Sequence, residues 1–493
     1  MTVKPLFNGS EWDFDIIARA MDECGIIARE ELKLDTYKNQ IEVITSEQML
    51  DAYASVGMPI YYKHWSFGKK FSRERDLYQK GKSGLAYELV INANPCINYL
   101  MEANTACTQT LVIAHAAYGH NHFFKNNYMF KQWTDADGII DYLIFARNYV
   151  NDCEEKHSAD KVEATLDAAH ALMVHGVDRY KRPRKLSLSK EQDKQKERIA
   201  YLEQTVNDLW RTLPNTKKTK QNKIERFPKD PEENILYFLE KNSPILEPWQ
   251  RELLRIVRKI AQYFYPQYQV KVMNEGWASF THYYIMNRLY DKGLLTEGSM
   301  LEFLKLHTGV LYQPGYDSPH YSGFNPYYLG FEIFSDIKRI CENPTEEDKA
   351  WFPDLIGANW LDVCLDAVSN FRDESFIRQF LSPTLMRKLK MFSLLDSKQN
   401  SDFYKIEAIH DLNGYKQIRN KLASEYELSN WLPKIEIVDA DIKNTRRLSL
   451  TYFEYKDRKL SNKVDVMLDH IKTLWGHPIT LRSDQDELIA ELD

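Results

Sequence analysis

A chain of 493 residues exceeds one ordinary core and predicts two or three folding units. With 43% hydrophobic and 13% aromatic residues it can bury a core, which excludes wholesale disorder. A formal charge of −6 gives no electrostatic reason to expect nucleic-acid or anionic-membrane binding.

No apolar run reaches the roughly 18 to 20 residues that span a bilayer, and residues 1–5 lack a signal-peptide core. Six cysteines, scattered and without a C-x-x-C pair, suit reduced thiols rather than a disulfide framework or zinc ribbon. The expectation is a cytoplasmic protein without integral membrane contact.

Residues 11–35 read as an amphipathic helix, with Ile16, Ile17, Ala20, Ile27 and Leu32 near helical spacing. Thr45 before Ser46 and Glu47 signals a second helix. Residues 61–71 read as an irregular aromatic and basic segment, either a surface loop or the wall of a cleft. Asn94 and Pro95 read as the cap and first turn of a helix running from 96 to 114, with His115 at its end.

There an apolar run gives way to His115, His120 and His122 around Gly119, with Asn126 and Asn127 close behind. Burying so many polar groups is costly unless each finds a partner, and a metal ion could satisfy several imidazoles together. His115 and His120 are five apart, so at about 100° per residue they lie off one face of an intact helix. They converge only if the helix breaks or widens near Gly119; otherwise they are capping or core histidines.

Helices follow at 139–149 and 162–180. The second carries Glu163, Asp167 and His170 on one face, either a solvated stripe or a ligand-bearing trio, because Asp-x-x-His spacing occurs in helical di-metal sites. Residues 181–233 are charged and broken by proline, with one clear helix at 199–213. This excursion is a solvated loop or a contact for an acidic partner.

Helices return over 234–264. The helix at 274–289 then places Glu275 and His282 on one face, while Gly276 removes a side chain where a backbone or ligand comes close. Trp277, Ala278 and Phe280 make it largely buried, and a buried ionised Glu275 needs a partner. The functional reading is a carboxylate ligand with an accompanying imidazole; the structural one is a polar ladder along the helix. Residues 311–328 form a Pro/Gly-rich loop crowded with hydroxyls. It could cover a cleft, with Tyr316 and His320 donating to a developing oxyanion, or it could be ordered packing.

After about 386 the periodicity changes. Strands at 389–395 and 403–409, a helix at 415–426, strands at 435–442 and 448–455, a helix at 464–475 and a hairpin of 479–482 with 487–491 are expected. The fold class is α+β: a mainly helical region over 1–386, then a ββα-ββα-hairpin module over 387–493 that reads as a binding or regulatory appendage.

Three motifs taken together resemble the stage V sporulation protein R (SpoVR-like) family. They are His115 with His120, Asn121, Phe123, Phe124 and Lys125; Leu166, Asp167 and His170 with Gly176, Asp178, Arg179 and Tyr180; and Asn274-Glu275-Gly276-Trp277-Ala278. Asn325-Pro326-Tyr327, Leu329-Gly330-Phe331 and residues 376–383 extend the resemblance over nearly the whole length. His122 lies outside the family motif.

The resemblance implies a bacterial cytoplasmic protein, tied in spore formers to cortex formation. In non-sporulating bacteria, whose branch this sequence is more similar to, it implies a role in stress adaptation beside a PrkA-type serine kinase and a von Willebrand A-like protein.

The Asn-Glu-Gly-x-Ala helix is also similar to the one giving gluzincin metallopeptidases their glutamate ligand, which suggests a zincin-like, metal-dependent hydrolase of a peptide or cell-wall-related substrate. His115, His120 and Glu275 would hold a divalent metal, zinc first, and leave a position for water. His282 or His170 would complete or orient the shell. No Glu stands beside His115, so Glu163 or Asp167 would have to serve as general base. The alternative is a non-catalytic adaptor whose C-terminal module and basic excursion bind partners such as the kinase. A helical di-metal oxidase has only one Asp-x-x-His pair to support it.

Overall fold

The structure is a computed structural model describing residues 4–55, 58, 60–79, 88–180, 227–316, 318–391, 393–396, 404–408, 411–428, 432–442, 444–455, 460 and 463–493. Contacts group the chain into two compact units, one of residues 1–164 with 259–432 and the other of 165–258 with 433–493.

The chain opens with α1 (Phe14–Glu30), where Asp13 accepts the Ile16 N–H at 2.7 Å and one face buries Ile17, Ala20, Cys24 and Ile27. After β1 (Asn39–Ile44), Thr45 and Gln48 close a capping box on α2 (Ser46–Ala54). Residues 61–71 are only partly irregular, because α3 (Trp65–Gln79) begins inside them. Lys, Arg, Glu and Gln side chains are good helix formers, so weak apolar patterning did not prevent a helix.

A larger correction follows. The chain from Cys96 is a strand, not a helix: β2 (Glu88–Ile91) and β3 (Cys96–Met101) join β1 in the order β1-β3-β2, parallel to β1 and antiparallel to β2. All six residues of β3 are buried, and a short continuous apolar run looks alike as buried strand or buried helix. The helix starts at α4 (Ala106–Val112), capped by Thr105. It then widens into a π-helix (Ile113–His120) before α5 (Asn121–Asn126).

The helices α6 (Tyr128–Trp133), α7 (Ile139–His157) and α8 (Ala159–Ala171) follow, the last ending earlier than the expected 180. Residues 181–226, with the helix expected at 199–213, lie outside the described residues. Then come α9 (Ile235–Asn242), α10 (Pro248–Phe264), α11 (Lys271–Asp291), α12 (Glu297–Val310) and α13 (Pro326–Glu342). The first unit continues through α14 (Glu346–Trp351), α15 (Trp360–Asn370), α16 (Asp373–Phe380) and α17 (Pro383–Lys388). It ends with the antiparallel pair β4 (Ser393–Asp396) and β5 (Tyr404–Ala408) and with α18 (Leu412–Glu425).

Backbone-to-backbone contact sets the centre of this unit. A methyl on Gly276 would fall 2.4 Å from the Gly330 Cα, and one on Gly119 would fall 2.6 Å from the Ala278 Cα. Glycine at 119 and 276 therefore lets the π-helix and α13 both lie directly against α11. Trp277, fully buried, packs against Phe280 and Phe334 beside that crossing.

In the second unit, β6 (Lys434–Ala440), β7 (Leu448–Phe453), β8 (Ile479–Ser483) and β9 (Leu488–Leu492) form a sheet in that order. The β7–β8 pair is parallel and the other two are antiparallel. Helix α19 (Val464–Trp475) buries Leu468, Ile471, Leu474 and Trp475. The Ser243 hydroxyl donates to the Leu474 carbonyl at 2.6 Å, and Glu232 bridges to Ile437 on β6. Among the described residues no helix is long and apolar enough to cross a membrane.

Candidate metal centre

A π-helix closes i→i+5 hydrogen bonds, so its turn brings side chains five apart toward one face. That is the spacing of His115 and His120, whose ring centroids lie 4.6 Å apart. Both Nε2 atoms point into one space. His115 Nε2 is 3.3 Å from Glu88 Oε1 on β2 and 3.9 Å from Glu275 Oε2 on α11, and His120 Nε2 is 3.4 Å from the same Glu275 oxygen. Ligand atoms of Glu88, His115 and His120 all fall within 4.8 Å of one another.

The outward nitrogens are anchored. His120 Nδ1 donates to Asn274 Oδ1 at 2.9 Å. His115 Nδ1 meets His282 Nδ1 at 2.8 Å, and His282 Nε2 meets His307 Nδ1 at 2.8 Å. With Nε2 of His115 free for an ion, its Nδ1–H donates to His282, whose Nε2–H donates to His307. The four imidazoles are buried, while the Glu88 and Glu275 side chains keep 19% and 18% exposure.

Burial pushes the Glu275 carboxyl up, but the His120 charge and the close His120 and His115 rings outweigh it and hold the group well below the usual range. Glu88 goes the other way: burial raises it, against the attraction of His115 and His120. Burial would lower His120, yet Glu275 beside it raises the imidazole to about 9. Burial, then the neighbouring imidazoles, pushes His282 well down and His307 to about 4, which keeps both neutral. Glu88 Oε2 is buried without a hydrogen-bond partner, and Glu275 Oε2 has only the long contacts to His120 and His115 at 3.4 and 3.9 Å. Two imidazoles and two carboxylates suit a borderline divalent ion.

Tyr327, in the first turn of α13, completes the group. Burial, then the neighbouring Glu275 and Glu88, push its phenol far up, so it stays a proton donor. Its ring lies over His115 at 6.3 Å and 17°.

The model of the family described as SpoVR like protein matches residues 11–431, and that of the SpoVR-like C-terminal domain matches 433–486. The chain belongs to the SpoVR-like family. It is 55% identical over 488 residues to YcgB of Escherichia coli (strain K12), covering 99% of this chain and 95% of that protein. No solved structure matches it.

In this SpoVR-like chain, three residues marked in the sequence, His115, His120 and Glu275, share one pocket. His282 stands behind His115 rather than in the pocket. Glu163, Asp167 and His170 are half-buried on α8 and are not in the metal-capable group found among the described residues. His320 is exposed, and the Tyr316 ring rests on Tyr321 and Phe324. His122 turns away, its Nδ1 accepting from the Asp35 N–H at 3.1 Å.

Sequence reasoning missed Glu88, Tyr327 and His307. Glu88 precedes a three-residue apolar run and carries no motif of its own. Tyr327 was visible only as part of Asn325-Pro326-Tyr327.

Proposed function

We propose that this SpoVR-like protein is a metal-dependent hydrolase of an amide or ester bond, with His115, His120 and Glu275 as ligands and Glu88 as general base. What supports it is the convergence of two imidazole Nε2 atoms and the Glu88 and Glu275 carboxylates, from β2, the π-helix and α11, on one space. A bound divalent ion, zinc first, would polarise a carbonyl and lower the pKa of water.

The chain's own groups supply the rest. Glu88, raised by burial, is placed to take a proton from water and return it to the leaving group. Tyr327, held protonated, donates a hydrogen bond to charge developing on the carbonyl oxygen. Asn274 and His282 fix the ring orientation of His120 and His115. The cortex link implied by the family resemblance suits a peptide or cell-wall-related substrate.

The test is Glu88→Gln beside Glu275→Ala, with metal content and cleavage of a quenched-fluorescent peptide library measured on the same samples. Glu88→Gln should keep the metal and lose about 10²- to 10⁴-fold in rate, while Glu275→Ala should lose both. Wild-type turnover in Glu88→Gln, or native protein that takes up no metal, would overturn the reading.

A further inference from the structure

A cavity of about 710 Å³ in the first unit is not accounted for by the metal group itself. Its walls are Tyr316, Tyr321 and Phe324 from the Pro/Gly-rich loop, Leu422 and Tyr426 at the end of α18, and Lys271 at the start of α11. Two links place it next to the metal centre. Lys271 lies one turn before Glu275 on the same face of α11. Asn325 and Pro326, which also line the cavity, immediately precede Tyr327.

The cavity is built in advance. The loop is tied at its neck: Gln313 accepts the Asn325 N–H at 2.7 Å and donates to the Gly323 carbonyl at 3.2 Å. The Asn325 side chain donates to the Val310 carbonyl at 2.8 Å and the Tyr312 carbonyl at 3.1 Å. The Tyr316 and Tyr321 rings pack at 4.9 Å. A site held open this way avoids the ordering cost that a floppy loop would impose on a ligand.

Its chemistry is amphipathic, with apolar rings and charged side chains on the same walls. The rings and Leu422 offer apolar surface, and the phenols offer donors to amide carbonyls. Lys421 and Glu425 on the wall act on each other, while Lys271 makes no ion pair among the described residues. We propose that this cavity is the substrate-recognition site of the metal centre and takes an acidic peptide segment, an aromatic side chain among the tyrosines and a carboxylate against Lys271. The location beside a reacting bond rests on the hydrolase reading; the binding does not.

The test is isothermal titration of the full chain with acetyl-Glu-Tyr-Glu-amide and acetyl-Gln-Tyr-Gln-amide. The acidic peptide should bind about fivefold tighter at low salt, and Lys271→Ala should erase that preference. Tyr321→Ala should weaken both peptides. Binding of both peptides with equal affinity, binding of neither, or an undiminished preference in Lys271→Ala would overturn the inference. Glu275→Ala separates the two claims: it should lose the metal yet still bind the acidic peptide, and binding by a metal-free wild type would remove the hydrolase reading alone.

Discussion

Glu88 and Glu275 are the same chemical group beside the same two imidazoles, yet their surroundings drive them apart. Glu275 faces both His115 and His120 and is held well below the usual carboxylate range, whereas burial dominates at Glu88 and raises it. Carboxyls pushed in opposite directions divide into ligand and proton carrier. Two predictions belong at this scale. Tyr327→Phe should keep the metal and lower kcat by about 10²-fold, because one donor to the developing oxyanion is lost; unchanged kcat would remove that role. His282→Ala strands the His115 Nδ1 and should weaken metal affinity by about 10- to 100-fold in a chelator competition, with unaltered affinity contradicting the positioning role.

The π-helix is the element on which the site depends. The sequence required that the chain break or widen near Gly119 for His115 and His120 to meet, and it widens, with Gly119 pressed on Ala278. Gly276→Ala would drive a methyl into the Gly330 backbone and should cost about 1–3 kcal/mol in thermal or denaturant unfolding. Such polar motifs were legible because buried His and Glu stand out against apolar neighbours. Glu88 was not, since its role comes from where the strand pairing of β2 with β3 delivers it, and β3 itself looked like a helix.

At the scale of the whole molecule, the second unit draws on 165–258 and 433–493, stretches far apart in sequence. Periodicity found each strand and helix after 386 but carries no information on such long-range partners. The family's C-terminal domain, 433–486, falls within this unit, while β4, β5 and α18 group with the first.

Global acid stability should report on buried pairs. Burial would raise Asp348, but hydrogen bonds from Arg339 and Thr345 hold it at about 2. Its pKa when unfolded is about 3.9, so between roughly pH 4 and 2 the unfolded chain binds more protons and stability falls as pH drops. Asp348→Asn should be less stable at neutral pH by about 1–3 kcal/mol and flatter across that window; an unchanged acid slope would contradict the assignment.

The central claim is that one ion sits among His115, His120, Glu275 and Glu88. X-ray absorption at the metal edge of the purified full chain tests it most directly. The account predicts one metal per chain in a shell of nitrogen and oxygen at about 2.0–2.2 Å, with two imidazoles and no sulfur, lost in His120→Ala. A sulfur shell, or a native chain that takes up no divalent ion, would contradict it.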